Sequence, residues 1–201
     1  MFYIVNYFAG PGAGKSTSAA GLFSELKKLK DTEDFLKDFQ VELVTEFAKD
    51  KIYELNSECL DNQFLTSAQQ HHRLWRVMNY WLKNGITDGI IVTDSPLLLG
   101  VVYNSKASYA ANYLNHLLLS EFTQMQDFEY PGIKNINIFI NRDKNRDKKF
   151  DKLGRLQTEE EANEIDDKIY ETLEYFEIPF EETYSSTSIE DSLKIIKQSI
   201  K

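Results

Sequence analysis

The sequence predicts an α/β protein in which a parallel β-sheet is crossed by helices. Three observations point there. Runs rich in β-branched and aromatic residues alternate along the chain with longer segments of helical periodicity, the pattern of βαβ units with right-handed crossovers. The first run, Phe2-Tyr3-Ile4-Val5-Asn6-Tyr7-Phe8, passes straight into a Gly/Pro-rich loop and then into a helical segment. Three charged residues, Glu46, Asp94 and Arg142, follow directly on the second, third and fourth runs. That position collects them at the carboxyl edge of the sheet, where open α/β sheets bind ligands.

The loop is Ala9-Gly10-Pro11-Gly12-Ala13-Gly14-Lys15-Ser16-Thr17. Gly10, Gly12 and Gly14 lack a Cβ and can adopt φ > 0, so successive backbone N–H groups can turn inward around an anion. The helix that begins near Gly14 adds unpaired N–H donors and the positive end of its dipole. Strand, glycine loop, Lys-Ser and helix together form a P-loop, or Walker A, unit. Ala9 stands where that motif usually has its first glycine. Residues Gly10, Pro11, Gly12, Ala13, Gly14, Lys15, Ser16 and Thr17 are therefore the candidate nucleotide site, with ATP and Mg²⁺ as the cofactors it implies. Lys15 is expected against the β- and γ-phosphates, and Ser16 is expected to supply a hydroxyl ligand to Mg²⁺. The bland alternative is a glycine turn carrying an exposed lysine, and the strand-to-helix setting argues against it.

Taken in order, the helix after the loop frays near Lys27-Lys28-Leu29-Lys30, cations that suit a helix C-terminus. Phe35, Leu36 and Phe39 predict a short helix or packed loop. Val41-Glu42-Leu43-Val44-Thr45 alternates as a second strand, and a helix follows over Phe47–Leu55. Asn56 to Asn62 is polar and irregular. A long helix is predicted from Gln63 to Leu82, with Phe64, Leu65, Ala68, Leu74, Trp75, Met78, Trp81 and Leu82 as buried positions and Gly85 as its stop. Gly89-Ile90-Ile91-Val92-Thr93-Asp94 is a continuous apolar run ending in a carboxylate, as a central parallel strand does. Ser95-Pro96 breaks it. Helical segments follow over Leu97–Tyr103 and Ser108–Gln126, the latter with Leu114, Leu117, Leu118 and Phe122 inward, and Pro131-Gly132 marks a turn. Ile136–Asn141 is the fourth strand, and Arg142–Gln157 is charged enough to predict a mobile surface excursion. Thr158-Glu159-Glu160-Glu161 is a capping box that opens a helix to about Tyr175. Ile178-Pro179-Phe180 is the expected last strand, and Ile189–Ile200 a closing helix.

A chain of 201 residues suits one domain with a continuous core, and 42% hydrophobic with 27% charged residues is ordinary for a globular protein. The formal charge of −9 disfavours a broad footprint for duplex nucleic acid or an anionic membrane, although a local basic patch remains compatible with it. Cys59 is the one cysteine, which excludes an internal disulfide and a cysteine-rich zinc cluster and makes the reducing cytoplasm the expected setting. No apolar run approaches the ~20 residues that span a bilayer. The amino-terminal strand has no basic n-region and is not a signal peptide.

With these residues in view, the chain resembles the P-loop kinases of the nucleoside and nucleotide kinase group. Gly10–Thr17 resembles the nucleotide kinase form of the loop. Val44-Thr45-Glu46-Phe47, Ile91-Val92-Thr93-Asp94-Ser95 and the segment Arg142–Arg155 match more weakly at the right places. The Thr-Glu after the second strand and the Gln-rich long helix also resemble the ribosylnicotinamide kinase-like branch and related phage proteins. The resemblance implies one domain over residues 1–201, a five-stranded parallel sheet ordered 2-3-1-4-5 with helices on both faces, and an arginine-bearing lid at about 142–157.

It also implies roles. Asp94 resembles the Walker B carboxylate that holds Mg²⁺ with Ser16; the plainer alternative is an N-cap. Glu46 resembles the carboxylate that contacts an acceptor hydroxyl and can take its proton; the alternative is a solvated first-turn glutamate. Arg142, Arg146 and Arg155 resemble lid arginines that stabilise charge on the transferring phosphoryl group, Arg142 and Arg155 being the better placed. Arg146 sits in a lysine-rich run that reads equally as a solvated face. On the long helix, Arg73 or Arg76 could bind an acceptor phosphate and Gln69 or Gln70 a base edge. His71 and His72 lack a ligand at i+4, which makes zinc improbable. Trp75, Tyr80 and Trp81 read as core more than as base-stacking surface.

The expected activity is ATP- and Mg²⁺-dependent phosphoryl transfer to a nucleoside- or nucleotide-like small molecule. A hydroxyl on a modified base in DNA is a disfavoured acceptor, and an ATP-hydrolysing switch is the rival from another class. Against the switch stands the lack of a guanine-reading Asn/Thr-Lys-x-Asp motif. No membrane partner is expected, and a homodimer is compatible with the sequence.

Overall fold

The run Phe2–Phe8 (β1) is buried at every position and forms the middle of the sheet. Its polar member, Asn6, is satisfied there: its amide donates to Asn135 Oδ1 (2.9 Å), Asn137 Oδ1 (3.0 Å) and the Ile4 carbonyl (3.3 Å). In this computed structural model, which describes residues 1–104, 109–124, 132–143 and 157–200, β1 pairs in parallel with Gly89–Thr93 (β3) on one side and Ile133–Asn141 (β4) on the other. Gln40–Val44 (β2) lies outside β3 and Glu181–Tyr184 (β5) outside β4, giving the all-parallel order β2-β3-β1-β4-β5. That is the predicted order.

Side-chain alternation along β1 divides the core between the two faces. Tyr3, Val5 and Tyr7 pack under Lys15–Leu29 (α1) and Ser188–Ser199 (α7) through Leu22, Leu26 and Ile196. Phe2, Ile4 and Phe8 face Gln63–Lys83 (α3), Leu99–Tyr103 (α4), Tyr109–Gln124 (α5) and Glu159–Tyr175 (α6) through Leu74, Trp81, Leu99, Phe122 and Leu173. The short helix Phe47–Tyr53 (α2) follows closely on β2.

Several expectations need correction. The last strand begins at Glu181, not Ile178: Pro179 has no N–H to donate, and the Ile178 amide instead closes α6 on the Leu173 carbonyl (2.9 Å). β4 starts three residues earlier than predicted, at Ile133. The stretch before α3 contains a 3₁₀ turn, Ser57–Asp61. On α3 only one face is inward. Leu74, Met78 and Trp81 are buried at helical spacing, whereas Phe64, Leu65, Ala68, Trp75, Tyr80 and Leu82 are exposed, the last six lying off that face. Leu117 on α5 is likewise exposed. Trp81 is core: it stacks obliquely on Phe2 and fills the space over Gly89, where a Cβ would lie 2.3 Å from its ring. Gly85, at φ +70°, ends α3 as expected. The capping box at Thr158 and Glu161 is formed in both directions. Of the predicted excursion over 142–157, Arg142, Asp143 and Gln157 are described.

Candidate active site

The loop after β1 adopts the expected shape with one difference in how its glycines work. Gly12 (φ 83°) and Gly14 (φ 106°) occupy the left-handed region that a side chain would strain. Gly10 does not. It is needed for close approach, because a Cβ there would sit 2.4 Å from the Ala162 carbonyl of α6. Beyond Gly14 the chain enters α1, and among the described residues the N–H groups of Gly12, Gly14, Lys15, Ser16 and Thr17 meet no acceptor. These donors at the start of a 15-residue helix form a concave anion site. Lys15 is folded back over the loop and donates to the carbonyls of Ala9 (2.5 Å) and Gly10 (3.0 Å). Burial pushes its pKa down, opposed by the nearby Glu46, Asp94 and Asp166 carboxylates.

Asp94, the residue after β3, is buried, and its Oδ1 has no hydrogen-bond partner among the described residues. It caps no helix, since α4 starts at Leu99 and the Ser95 amide bonds to Thr93 Oγ1 instead. A buried, unpartnered carboxylate oxygen is costly unless a cation or donor completes it. Asp94 shares a hollow of about 320 Å³ with the Ser16 hydroxyl and Glu46. A hard oxygen-ligand set of carboxylate and hydroxyl beside a phosphate site fits Mg²⁺.

Glu46 stands at the N-cap of α2 but makes no capping bond. Burial raises its pKa, partly offset by Lys15 and reinforced by Asp94. It borders both the hollow and a larger cleft of about 620 Å³ that opens from the P-loop between α2, α3 and α4. The loop residues Pro11, Gly12, Gly14, Lys15, Ser16 and Thr17 line one wall of that cleft.

The remaining candidates divide. Gln70 lines the cleft, yet its amide is engaged at both ends with backbone, accepting from Phe47 N (2.9 Å) and donating to the Thr45 carbonyl (3.4 Å). Arg73 bonds Asp50 and the Thr45 carbonyl and hydroxyl and lies over the Phe47 ring. Arg76 is exposed on α3. Neither arginine lines the cleft. Arg142 reaches under the P-loop, donating to Asp166 (2.5 Å) and to the carbonyls of Pro11 (2.8 Å) and Ala162 (3.3 Å). Arg146 and Arg155 lie outside the described residues.

Two residues at the site carry no signal in the sequence. Asp166 on α6 accepts from the Gly10 amide with one oxygen and from Arg142 with the other, so a single carboxylate ties the start of the P-loop to the end of β4. It is one of eight acidic residues on that helix, and only the fold separates it from the rest. Tyr103 lines the cleft, and its hydroxyl is held neutral to high pH by burial and by the charges of Glu46 and Asp166.

A central β1, an anion loop at its carboxyl end and carboxylates after β2 and β3 define the architecture of a P-loop kinase fold. One solved structure shares this fold. A thymidylate kinase from Ehrlichia chaffeensis is similar over 98% of both chains with a TM-score of 0.58, at 9% sequence identity, a likeness of fold. A deoxyadenosine kinase from M. mycoides with the products dCMP and dCDP bound covers 97% of this chain and 99% of its own, at 17% identity and a TM-score of 0.45. The same enzyme with dATP bound covers 98% of each, at 15% identity and 0.44. No protein-family model and no curated protein matches the chain.

Proposed function

We propose that the chain is a single-domain P-loop phosphotransferase that moves the γ-phosphoryl of ATP to a nucleoside- or nucleotide-like acceptor. The observation that carries this reading is one junction. Amides without acceptors and Lys15 stand on one side, the orphaned Asp94 oxygen lies behind them, and Glu46 sits where the loop meets a cleft large enough for a second small molecule.

In this reading the triphosphate lies in the cradle of Gly12–Thr17 amides, and Lys15 leaves the Ala9 and Gly10 carbonyls for the β- and γ-phosphate oxygens. Ser16 and Asp94 would hold Mg²⁺, which would supply positive charge against the phosphates. The acceptor lies in the cleft with its nucleophilic oxygen in line with the γ-phosphorus. Glu46 orients an acceptor hydroxyl and takes its proton as the new O–P bond forms and the bond to the β-phosphate oxygen breaks, leaving ADP and a phosphate ester. Raising the Glu46 pKa by burial brings it toward the range of a working base. Arg142 braces the Pro11 carbonyl, and Arg155 is assigned, with Arg142, to charge stabilisation on the transferring group. Enclosure of the reacting centre keeps water from taking the phosphoryl group.

The test is transfer from γ-labelled ATP across a panel of nucleosides, nucleoside monophosphates, nicotinamide riboside and modified DNA. Label in a small-molecule acceptor is the expected result. Release of inorganic phosphate alone across the whole panel would replace this reading with an ATP-hydrolysing switch.

A further inference from the structure

We infer that the acceptor is an electrically neutral nucleoside bearing the attacking hydroxyl, and that nucleoside monophosphates are discriminated against; this rests on the phosphotransferase reading above. The ground is the charge inventory of the cleft. Outside the P-loop, Lys49 is the one cation among the described residues that line it, against two carboxylates, Glu46 and Asp61. Lys49 borders the same hollow as Glu46 and Asp50, and its charge already acts on the Glu46 carboxylate.

An acceptor monophosphate brings about two negative charges near neutral pH and demands guanidinium forks or a nest of amides. The arginines on α3 do not serve it. Arg73 is committed to Asp50 and Thr45, and Arg76 is exposed and does not line the cleft. Among the described residues, the amides of the P-loop that meet no acceptor form such a nest, and in this reading the donor takes it.

Glu46 separates the two acceptor classes further. Beside a neutral hydroxyl, a carboxylate in the junction has a proton to accept. Beside a phosphate dianion it has none, and its charge repels the nucleophile. The rest of the wall is suited to a neutral partner. Ile52, Tyr53 and Leu60 offer apolar surface, and Gln63 and Tyr103 offer hydrogen-bonding groups. The buried Ser67 hydroxyl has no partner among the described residues. Groups of that kind recognise sugar hydroxyls and base edges without compensating charge.

The experiment compares paired acceptors, each nucleoside against its own 5′-monophosphate, with the full chain, MgATP and a hydroxymethylated DNA oligomer as a third arm. The expected kcat/KM favours the nucleoside by about a hundredfold or more, as like-charge juxtaposition in a desolvated site would impose. Equal or better use of the monophosphate overturns the inference and leaves the phosphotransferase reading standing. Label entering the oligomer but not the free nucleosides overturns it too, in favour of a polymer acceptor. Transfer to none of the three removes both readings together. A second arm reads the charge directly. Glu46→Gln is expected to slow transfer to the nucleoside while tightening equilibrium binding of the monophosphate about tenfold, the scale of one removed like charge. An unchanged monophosphate affinity would contradict the electrostatic argument.

Discussion

The two walls that meet at Glu46 are built from different materials. The P-loop wall is mostly main chain: Gly12 and Gly14 in left-handed conformations, amides aimed into the site, and Lys15 as the single side chain that supplies formal charge. The opposite wall comes from residues of varied side chain, contributed chiefly by α2, α3 and α4 and by the 3₁₀ turn Ser57–Asp61. A main-chain cradle recognises what all triphosphates share and tolerates little variation in its few fixed residues. A side-chain wall can be retuned one residue at a time without disturbing the sheet. Under the proposed function, donor binding and acceptor choice are thereby separable, and substitutions on the two walls should fail in different ways.

The largest effect is expected at Lys15. Lys15→Ala removes the cation against the transferring group and should lower transfer by about 10²–10³-fold or more while the fold is retained. Turnover at the wild-type rate, with unchanged thermal unfolding, would show that the loop is not the donor site. Glu46→Gln comes next. Losing a positioned base should reduce kcat for a hydroxyl acceptor by about 10²-fold. A rate indifferent to this change would move the acceptor to the phosphate class.

Asp166 probes how the main-chain wall is held in place. An asparagine there keeps the volume but must turn an NH₂ toward either the Gly10 amide or Arg142, both of which are donors. Asp166→Asn should raise the KM for ATP about tenfold, the scale of one lost charge-assisted hydrogen bond, with a smaller change in kcat. An equal fall in kcat with unaltered KM would assign Asp166 to the transition state instead of to the loop.

The smallest effect lies away from both walls and calibrates them. Asp191 near the start of α7 has its carboxyl held below the usual range, chiefly by Thr187 and also by Thr183 and Lys194. A depressed folded pKa contributes stability above the unfolded value and loses it as the pH falls through the folded one. Asp191→Asn should therefore cost less than about 1 kcal/mol at neutral pH, a surface interaction being screened, and the difference should vanish in acid. Chemical denaturation at the two pH values reads it, and a gap that widens in acid would reverse the assignment.

The same contrast between walls explains how much could be foreseen from the chain. The P-loop was legible because its requirements fall on adjacent residues: a strand, glycines, Lys-Ser and a helix in one continuous stretch. Glu46 and Asp94 were found by their place after strands, and the sheet order followed from the resemblance. Asp166 was hidden because its partners, Gly10 and Arg142, lie 156 and 24 residues away, and an amphipathic acidic helix marks none of its carboxylates. Gln70 and Arg73 are the converse case. Their side-chain chemistry suits ligand recognition, but the turn after β2 leaves the Phe47 amide and the Thr45 carbonyl to be satisfied, and these two side chains bond to it. The buried set on α3 was overestimated for a related reason. The sequence predicts eight apolar positions inward on a helix with only one face against the sheet, and Phe64, Leu65, Ala68, Trp75 and Leu82 are exposed.

The most direct measurement is the response of individual main-chain amides to nucleotide. With ¹⁵N-labelled protein and added MgATP, the resonances of Gly12, Gly14, Lys15 and Ser16 should shift strongly, and Lys15→Ala should abolish those shifts at the same nucleotide concentration. Nucleotide binding that leaves these four amides unmoved, with shifts confined to other parts of the sheet edge, would contradict the claim that main-chain donors after β1 hold the triphosphate.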